Sequence, residues 1–234
     1  MKILGIIQAR TGSTRLPNKV MMKITGKPML EHLINRMQRA KSLDELIIAT
    51  TRMKEDDVIV DLANRCGLRY YRGPSKDVLR RIVLASKQYN GNLVVRITGD
   101  NPLTDPTGID RMITKHIQKN PDYSINFNEP TLPCPKCLPD GTGAETIYTS
   151  VLEKINKTRL DAGYREHVTL YIKEHPEMFN ILHVIAPSKL RSKTSFTVDT
   201  IEDFNFIYNI YDKFYKEGEI IKLEDVINFI NKRK

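Results

Sequence analysis

The sequence predicts an α/β fold: a three-layer, mostly parallel sheet with helices on both faces. Three observations predict it. Short, nearly all-apolar runs at 2–8, 45–50 and 93–97 read as strands buried on both sides. Segments with apolar residues at helical spacing lie between them. Such strict alternation implies parallel strands joined by crossover helices. The chain has 234 residues and is 40% apolar, enough for one large core, so a single domain over 1–234 is expected.

The elements follow in order. Lys2–Gln8 is the first strand. In the helix 29–40, Leu30, Leu33, Ile34 and Met37 share a face, and Pro28 suits its first turn. Glu45–Thr50 is the second strand. Helix 56–66 turns Val58, Ile59, Leu62 and Ala63 inward, with Gly67 placed as a C-cap. A short strand at 68–71, a helix at 76–89, a strand at 93–97 and a helix at 106–120 complete the regular half. Beyond it, strands are expected at 123–127, 181–186 and 196–198, and helices at 150–157, 165–174, 201–215 and 223–231. In the 201–215 helix, Phe204, Ile207, Tyr208, Ile210 and Tyr211 read as core. Residues 128–143 hold four prolines and two glycines, which excludes regular helix. Segment 121–180 is expected to be an irregular insertion serving acceptor binding and dimerisation.

In a parallel α/β sheet, ligands bind beyond the carboxyl ends of the strands. The loops 9–19, 72–77 and 98–105 should therefore meet there. In the first, an apolar strand ends in Gln8-Ala9-Arg10-Thr11-Gly12-Ser13-Thr14-Arg15-Leu16-Pro17-Asn18-Lys19. Its small residues allow a tight turn that presents N–H groups. Arg10, Arg15 and Lys19 are spaced to neutralise a triphosphate, whose charge must be offset before a nucleophile can approach.

Charge supports a phosphorylated ligand. Residues 1–41 carry nine Lys/Arg against one acid, Glu31, a net +8 in a chain of net +9. The same residues contain no aromatic side chain on which bases could stack, so a small phosphorylated molecule is favoured over a polynucleotide. No apolar run approaches the ~20 residues that span a bilayer. The apolar N-terminal stretch is too short for a signal peptide. No membrane partner and a cytoplasmic location are expected.

Triphosphate chemistry also needs a divalent cation, and Mg²⁺ prefers carboxylate oxygens. Asp100 directly follows a buried strand, on the ligand-binding edge. Asp199 ends a short apolar segment and precedes a helix, where Asp is also a favoured N-cap. Together the two could hold one or two ions. The three cysteines give less. Cys66 reads as core. Cys134 and Cys137 form a C-x-x-C that no second C-x-x-C or neighbouring Cys/His pair completes. His116 and His167 could join them only through folding, so the pair is taken as incidental loop cysteines.

These motifs together resemble the nucleotide-sugar cytidylyltransferases that make CMP-activated sugar acids. The relatives are the 3-deoxy-manno-octulosonate and acylneuraminate enzymes, and most closely the subgroup named for spore coat polysaccharide biosynthesis protein F. The matching pieces are IIQARTGSTRLPNKV, GKPMLEHLINR, IIATT, YRGPSKDVLRR, VVRITGDNPLTDP, PDG, YREHVTLYI and FTVDTIEDF. The resemblance implies a Rossmann-like sheet of the nucleotide-diphospho-sugar transferase type. It implies that Arg10 and Lys19, assisted by Arg15, bind and activate the phosphates of CTP. Gln8, Ala9, Arg10, Thr11, Gly12 and Ser13 would hold the nucleotide, with Thr98 and Asp100 beside it and Arg72, Ser75 and Asp77 near cytosine and ribose. Asp100 and Asp199 would bind Mg²⁺. Asp140, Glu145, Arg165, Glu166 and His167 would face the acceptor, and a homodimer is expected. Gln8 stands where the octulosonate and neuraminate enzymes have proline, and Gly143-Ala144-Glu145 where relatives show Asp-Val-Glu.

The implied reaction transfers CMP from CTP to a sugar acid, or to a phosphorylated sugar or polyol, with release of pyrophosphate. The products would enter surface polysaccharide or glycan biosynthesis. One rival is a glycosyltransferase with a similar sheet. Such enzymes hold metal through Asp-x-Asp, whereas this chain has Gly-Asp-Asn-Pro. A more distant rival is a non-catalytic nucleic-acid-binding or scaffold protein using the basic N-terminus.

Overall fold

A computed structural model describes residues 1–232. Its strands are β1 (Ile3–Gln8), β2 (Lys23–Ile24), β3 (Lys27–Pro28), β4 (Glu45–Thr51), β5 (Arg69–Gly73), β6 (Leu93–Thr98), β7 (Tyr123–Ile125), β8 (Glu145–Tyr148) and β9 (Ile181–His183). Its α-helices are α1 (Met29–Met37), α2 (Asp57–Arg65), α3 (Val78–Gln88), α4 (Pro106–Lys119), α5 (Thr149–Lys157), α6 (Ala162–Glu166), α7 (Leu170–Glu174), α8 (Ile201–Phe214) and α9 (Leu223–Asn231). Seven strands form one sheet in the order β5-β4-β1-β6-β8-β7-β9. Strands β5, β4, β1 and β6 pair in parallel, β8 runs antiparallel to both β6 and β7, and β7 pairs in parallel with β9.

The apolar runs explain the layers. Alternate residues of β1 enter opposite cores. Leu4 and Ile6 join α3, α5 and α7 residues on one face, and Ile7 joins α1, α2 and α4 residues on the other. A third cluster packs α8 and α9 against Ile24, Met29, Leu103, Phe196 and Val198. That cluster fastens the end of the chain beside the loop that follows β6.

The structure corrects several expectations. Residues 121–180 supply regular parts of the fold as well as the irregular stretch: β7 and β8 lie inside the sheet, and Leu152 and Ile155 of α5 share a core with α3. The expected 165–174 helix is two short helices, broken where Val168 takes φ +48°. A β-branched residue is strained there. Val168 is fully buried, and its packing holds the kink. Residues 196–198 form no strand. Phe196 N–H donates to Asp140 O (2.9 Å) and Val198 N–H to Asp100 O (3.0 Å), so the extended segment clamps two loops instead of joining a ladder. Val58 and Tyr208 lie at the margins of their helical stripes and are exposed.

Strand β8 carries a buried charge network. Glu145 sits opposite Arg96 in the β6–β8 register and pairs with its guanidinium. Its Oε1 also accepts from Lys173 Nζ (2.8 Å), Thr169 Oγ1 (2.8 Å) and Tyr123 Oη (2.6 Å). Burial alone would raise the Glu145 pKa, but Lys173 and Arg96 outweigh it and hold the group well below the usual carboxylate range. The unfolded chain therefore binds this proton more readily than the folded one. The stabilisation is full above the ordinary Glu value of about 4.3 and is lost as pH falls below it. Glu145→Gln removes the carboxylate shared by Arg96 and Lys173, leaving them only Gln8 and Glu129, and should lower the unfolding free energy by about 3 kcal/mol, read by urea denaturation at neutral pH. The deficit should shrink on acidification, and an unchanged midpoint would remove the network from the account.

Candidate active site

Strand β1 lies at the point where the chain crosses from one half of the sheet to the other, with β4 on one side and β6 on the other. The loops after β1 and β6 touch at the carboxyl edge: Gly99 N–H donates to Gln8 O (2.9 Å). A Cβ at Gly99 would lie 2.9 Å from that oxygen, so the approach needs a glycine. A cleft of about 250 Å³ opens here. Four cations (Arg10, Arg15, Lys19, Arg81) and three carboxylates (Asp100, Asp199, Glu166) line it.

Lys19 is its centre. Asn18, in the left-handed region at φ +61°, turns the chain into the short 3₁₀ turn that carries Lys19. The residue is only 7% exposed. Its Nζ donates to Asp100 Oδ2 (2.8 Å), Asp199 Oδ1 (2.9 Å) and Val198 O (2.7 Å). Residues 19, 100 and 199, remote in sequence, thus share one point. Asp199 is not the cap of α8. Thr200 caps that helix in a reciprocal box with Asp203, which leaves the Asp199 carboxylate free to face the cleft. Arg15 Nη2 reaches the same Asp199 Oδ1 at 2.9 Å.

Arg10 guards the opposite wall, with Nη2 2.8 Å from Glu166 Oε1 and Nη1 3.5 Å from Ser75 O. The loop that carries it is pinned by Asp56, which accepts from Thr11 N and Thr11 Oγ1, both at 2.7 Å, and from Thr51 Oγ1. Burial would raise the Asp56 pKa, but these hydrogen bonds win and lower it, keeping the anchor ionised. Gln8 is held by Arg96 Nε (2.8 Å). Glu166 and His167 enter the cleft because the Val168 kink ends α6 there.

Of the expected nucleotide-contacting residues, Gln8, Ala9, Arg10, Ser13, Thr98 and Asp100 line the cleft. Thr11 is turned to Asp56 and Gly12 lies outside the lining. Ser75 contributes its carbonyl to Arg10, and Asp77 caps α3 through Arg80 N–H (2.9 Å). Arg72 is turned away: its nitrogens donate to Thr51 O, Met53 O and Asp57 Oδ1, bracing the 51–57 loop. Three expected acceptor residues are likewise engaged elsewhere. Glu145 is 1% exposed in its own network. Arg165 binds Asn156 and lies 3.6 Å from Asp77. Asp140 accepts from Ser195 Oγ (2.7 Å) and Thr197 Oγ1.

Sequence reading passed over Arg81. Burial, reinforced by the Arg10 charge, lowers its pKa to about 10. Its Nη1 donates to Pro74 O (2.6 Å), while Nε is buried with no partner among the described residues. The signal was an arginine on the apolar stripe of α3, between Val78 and Ala85.

The motifs and the fold agree with comparison to known proteins. A family model described as cytidylyltransferase matches residues 4–224. The chain belongs to the cytidylyltransferase family. Spore coat polysaccharide biosynthesis protein SpsF of Bacillus subtilis is 33% identical, covering 98% of this chain and 94% of that protein. A 3-deoxy-manno-octulosonate cytidylyltransferase of Solibacter usitatus is 30% identical over 73% of this chain and 71% of its own. The solved structure of a cytidylyltransferase from Leptospira borgpetersenii superposes with TM-score 0.88 at 29% identity, covering all of this chain and 95% of that one. For this cytidylyltransferase-family chain, those matches make the mostly parallel sheet with helices on both faces a family architecture. No helix among the described residues is long and apolar enough to cross a membrane.

Proposed function

We propose that the cleft transfers CMP from CTP to a sugar acid, or to a phosphorylated sugar or polyol, with release of pyrophosphate, and that the CMP-linked product serves surface polysaccharide or glycan biosynthesis. The observation that carries this reading is the single point shared by Lys19, Asp100 and Asp199, with Arg10, Arg15 and Arg81 around it. Without nucleotide, three of the four cleft cations, Arg10, Arg15 and Lys19, pair with the cleft's own carboxylates. The Arg10 and Arg15 pairs are partly exposed and contribute little each, so exchanging them for triphosphate oxygens is inexpensive.

An acceptor oxygen attacks the α-phosphorus in line and pyrophosphate departs. Lys19 and Arg10 stabilise the charge that grows on the phosphate oxygens. Transfer is direct, so no covalent nucleophile is assigned. The donor set fits a hard divalent ion: two carboxylates and a carbonyl already converge on one ammonium, with the Asp100 and Asp199 side chains 25% and 31% exposed. Asp100 and Asp199 would hold Mg²⁺, which when bound supplies further charge neutralisation and phosphate alignment. Glu166 and His167 line the same cleft and would face the acceptor, for which the Solibacter relative suggests a 2-keto sugar acid.

A pyrophosphate-release screen tests the proposal, pairing four nucleoside triphosphates with sugar-acid and sugar-phosphate panels. Release is expected from CTP with one acceptor class and is expected to vanish in excess chelator. Sugar transfer without pyrophosphate would support the glycosyltransferase instead. Steeply salt-dependent polynucleotide binding, with indifference to CTP, would support a nucleic-acid role.

A further inference from the structure

We propose that Cys134, Cys137 and His183 form a binding site for one zinc-class divalent ion, separate from the cleft, that fastens the 128–139 loop to β9. The sequence left the C-x-x-C without a third ligand, and the fold supplies one. One donor atom from each of the three residues lies within 4.8 Å of the others. None of the three lines the cleft.

The chemistry of the set is selective. Two thiolates and an imidazole suit Zn²⁺ and its analogue Co²⁺, whereas Mg²⁺ prefers oxygen. A tetrahedral ion with Zn–S bonds near 2.3 Å needs sulfurs about 3.8 Å apart, so a triangle bounded at 4.8 Å closes with small side-chain movements. The fourth position falls to water.

The surroundings read as a built site. Cys134 and Cys137 are buried. Cys137 N–H donates to Cys134 O (2.9 Å), forming the tight turn between them, and Cys134 N–H donates to Asn128 Oδ1 (2.7 Å). The backbone already joins this loop to the chain leaving β9, through Ala186 N–H to Lys136 O (2.9 Å). His183 Nδ1 is buried with no hydrogen-bond partner among the described residues. An orphaned buried nitrogen is costly, and incidental loop thiols give no reason for it.

The position gives the ion a purpose. The loop runs directly into Pro139-Asp140-Gly141, and Asp140 O holds Phe196 at the start of the segment that delivers Asp199. Gly141, at φ +78°, lies so close that a Cβ would stand 2.3 Å from Thr197 N. An ion on Cys134, Cys137 and His183 would fix the base of this contact chain.

The test is a Co²⁺ titration of reduced, tag-free, full-length protein followed by optical absorption, with Zn²⁺ competition and metal analysis. One ion per chain is expected, with thiolate-to-cobalt charge-transfer and tetrahedral d–d bands that Zn²⁺ abolishes. Cys134→Ser and Cys137→Ser should lose the bands. His183→Ala should weaken binding at least about tenfold and change the spectrum. Cys66→Ser should match wild type. Should the variants fold poorly, the wild-type titration still decides. Absence of thiolate–cobalt bands in reduced wild-type protein would overturn the site, as would an unaltered spectrum and affinity in His183→Ala. So would a Cys134–Cys137 disulfide whose reduction restores no metal binding.

Discussion

Lys19→Ala is expected to reduce kcat/KM for pyrophosphate release from CTP by about 10³-fold, or about 4 kcal/mol of transition-state stabilisation. Lys19 is buried, as among the cleft cations only Arg81 also is, and its ammonium is held by three oxygens. A charge held in a partly dry site acts more strongly on developing phosphate charge than a mobile surface lysine does. Alanine also leaves the Asp100 and Asp199 carboxylates facing each other, adding repulsion at the place where the triphosphate must sit. The fold should persist, because neither core that flanks the sheet includes Lys19. Circular dichroism and a cooperative melt check that point. Turnover close to wild type in a folded variant would exclude Lys19 from the chemistry.

Asp100→Asn and Asp199→Asn should each lower activity by about 10²–10³-fold while preserving shape. The divalent-ion concentration for half-maximal rate should rise at least about tenfold. Asparagine keeps the main-chain link from Val198 N–H to Asp100 O and removes only the charge. The two substitutions act on a shared partner, so the double variant should lose less than the product of the single losses. A pair of variants with normal metal dependence would mean that the carboxylates serve only to hold Lys19.

What could be read from the sequence followed the physics of burial. Strands β1, β4 and β6 are apolar on both faces and announce themselves. The Gly12-Ser13 turn between cations, followed by Asp100 on the same sheet edge, made the cleft legible before any geometry. The remainder depends on contacts between distant segments. Strand β8 follows a proline-rich stretch and carries Glu145, whose charge is acceptable inside only because Arg96 and Lys173 come from other elements. The break after His167 rests on a left-handed valine, a conformation that side-chain type does not advertise. Arg72 looked like a nucleotide contact because its motif adjoins the site, yet it braces a neighbouring loop. His183 lies far along the chain from Cys134 and Cys137, and the β7–β9 pairing with the Ala186 N–H to Lys136 O link brings its strand close.

A crystal structure with CTP and Mg²⁺ bound tests the central claim most directly. The expected result shows Lys19 and Arg10 on the phosphates and the ion on Asp100 and Asp199, with cytosine extending from the loop after β1. A nucleotide seated away from this cleft, with Lys19 still locked to its two aspartates, would contradict it.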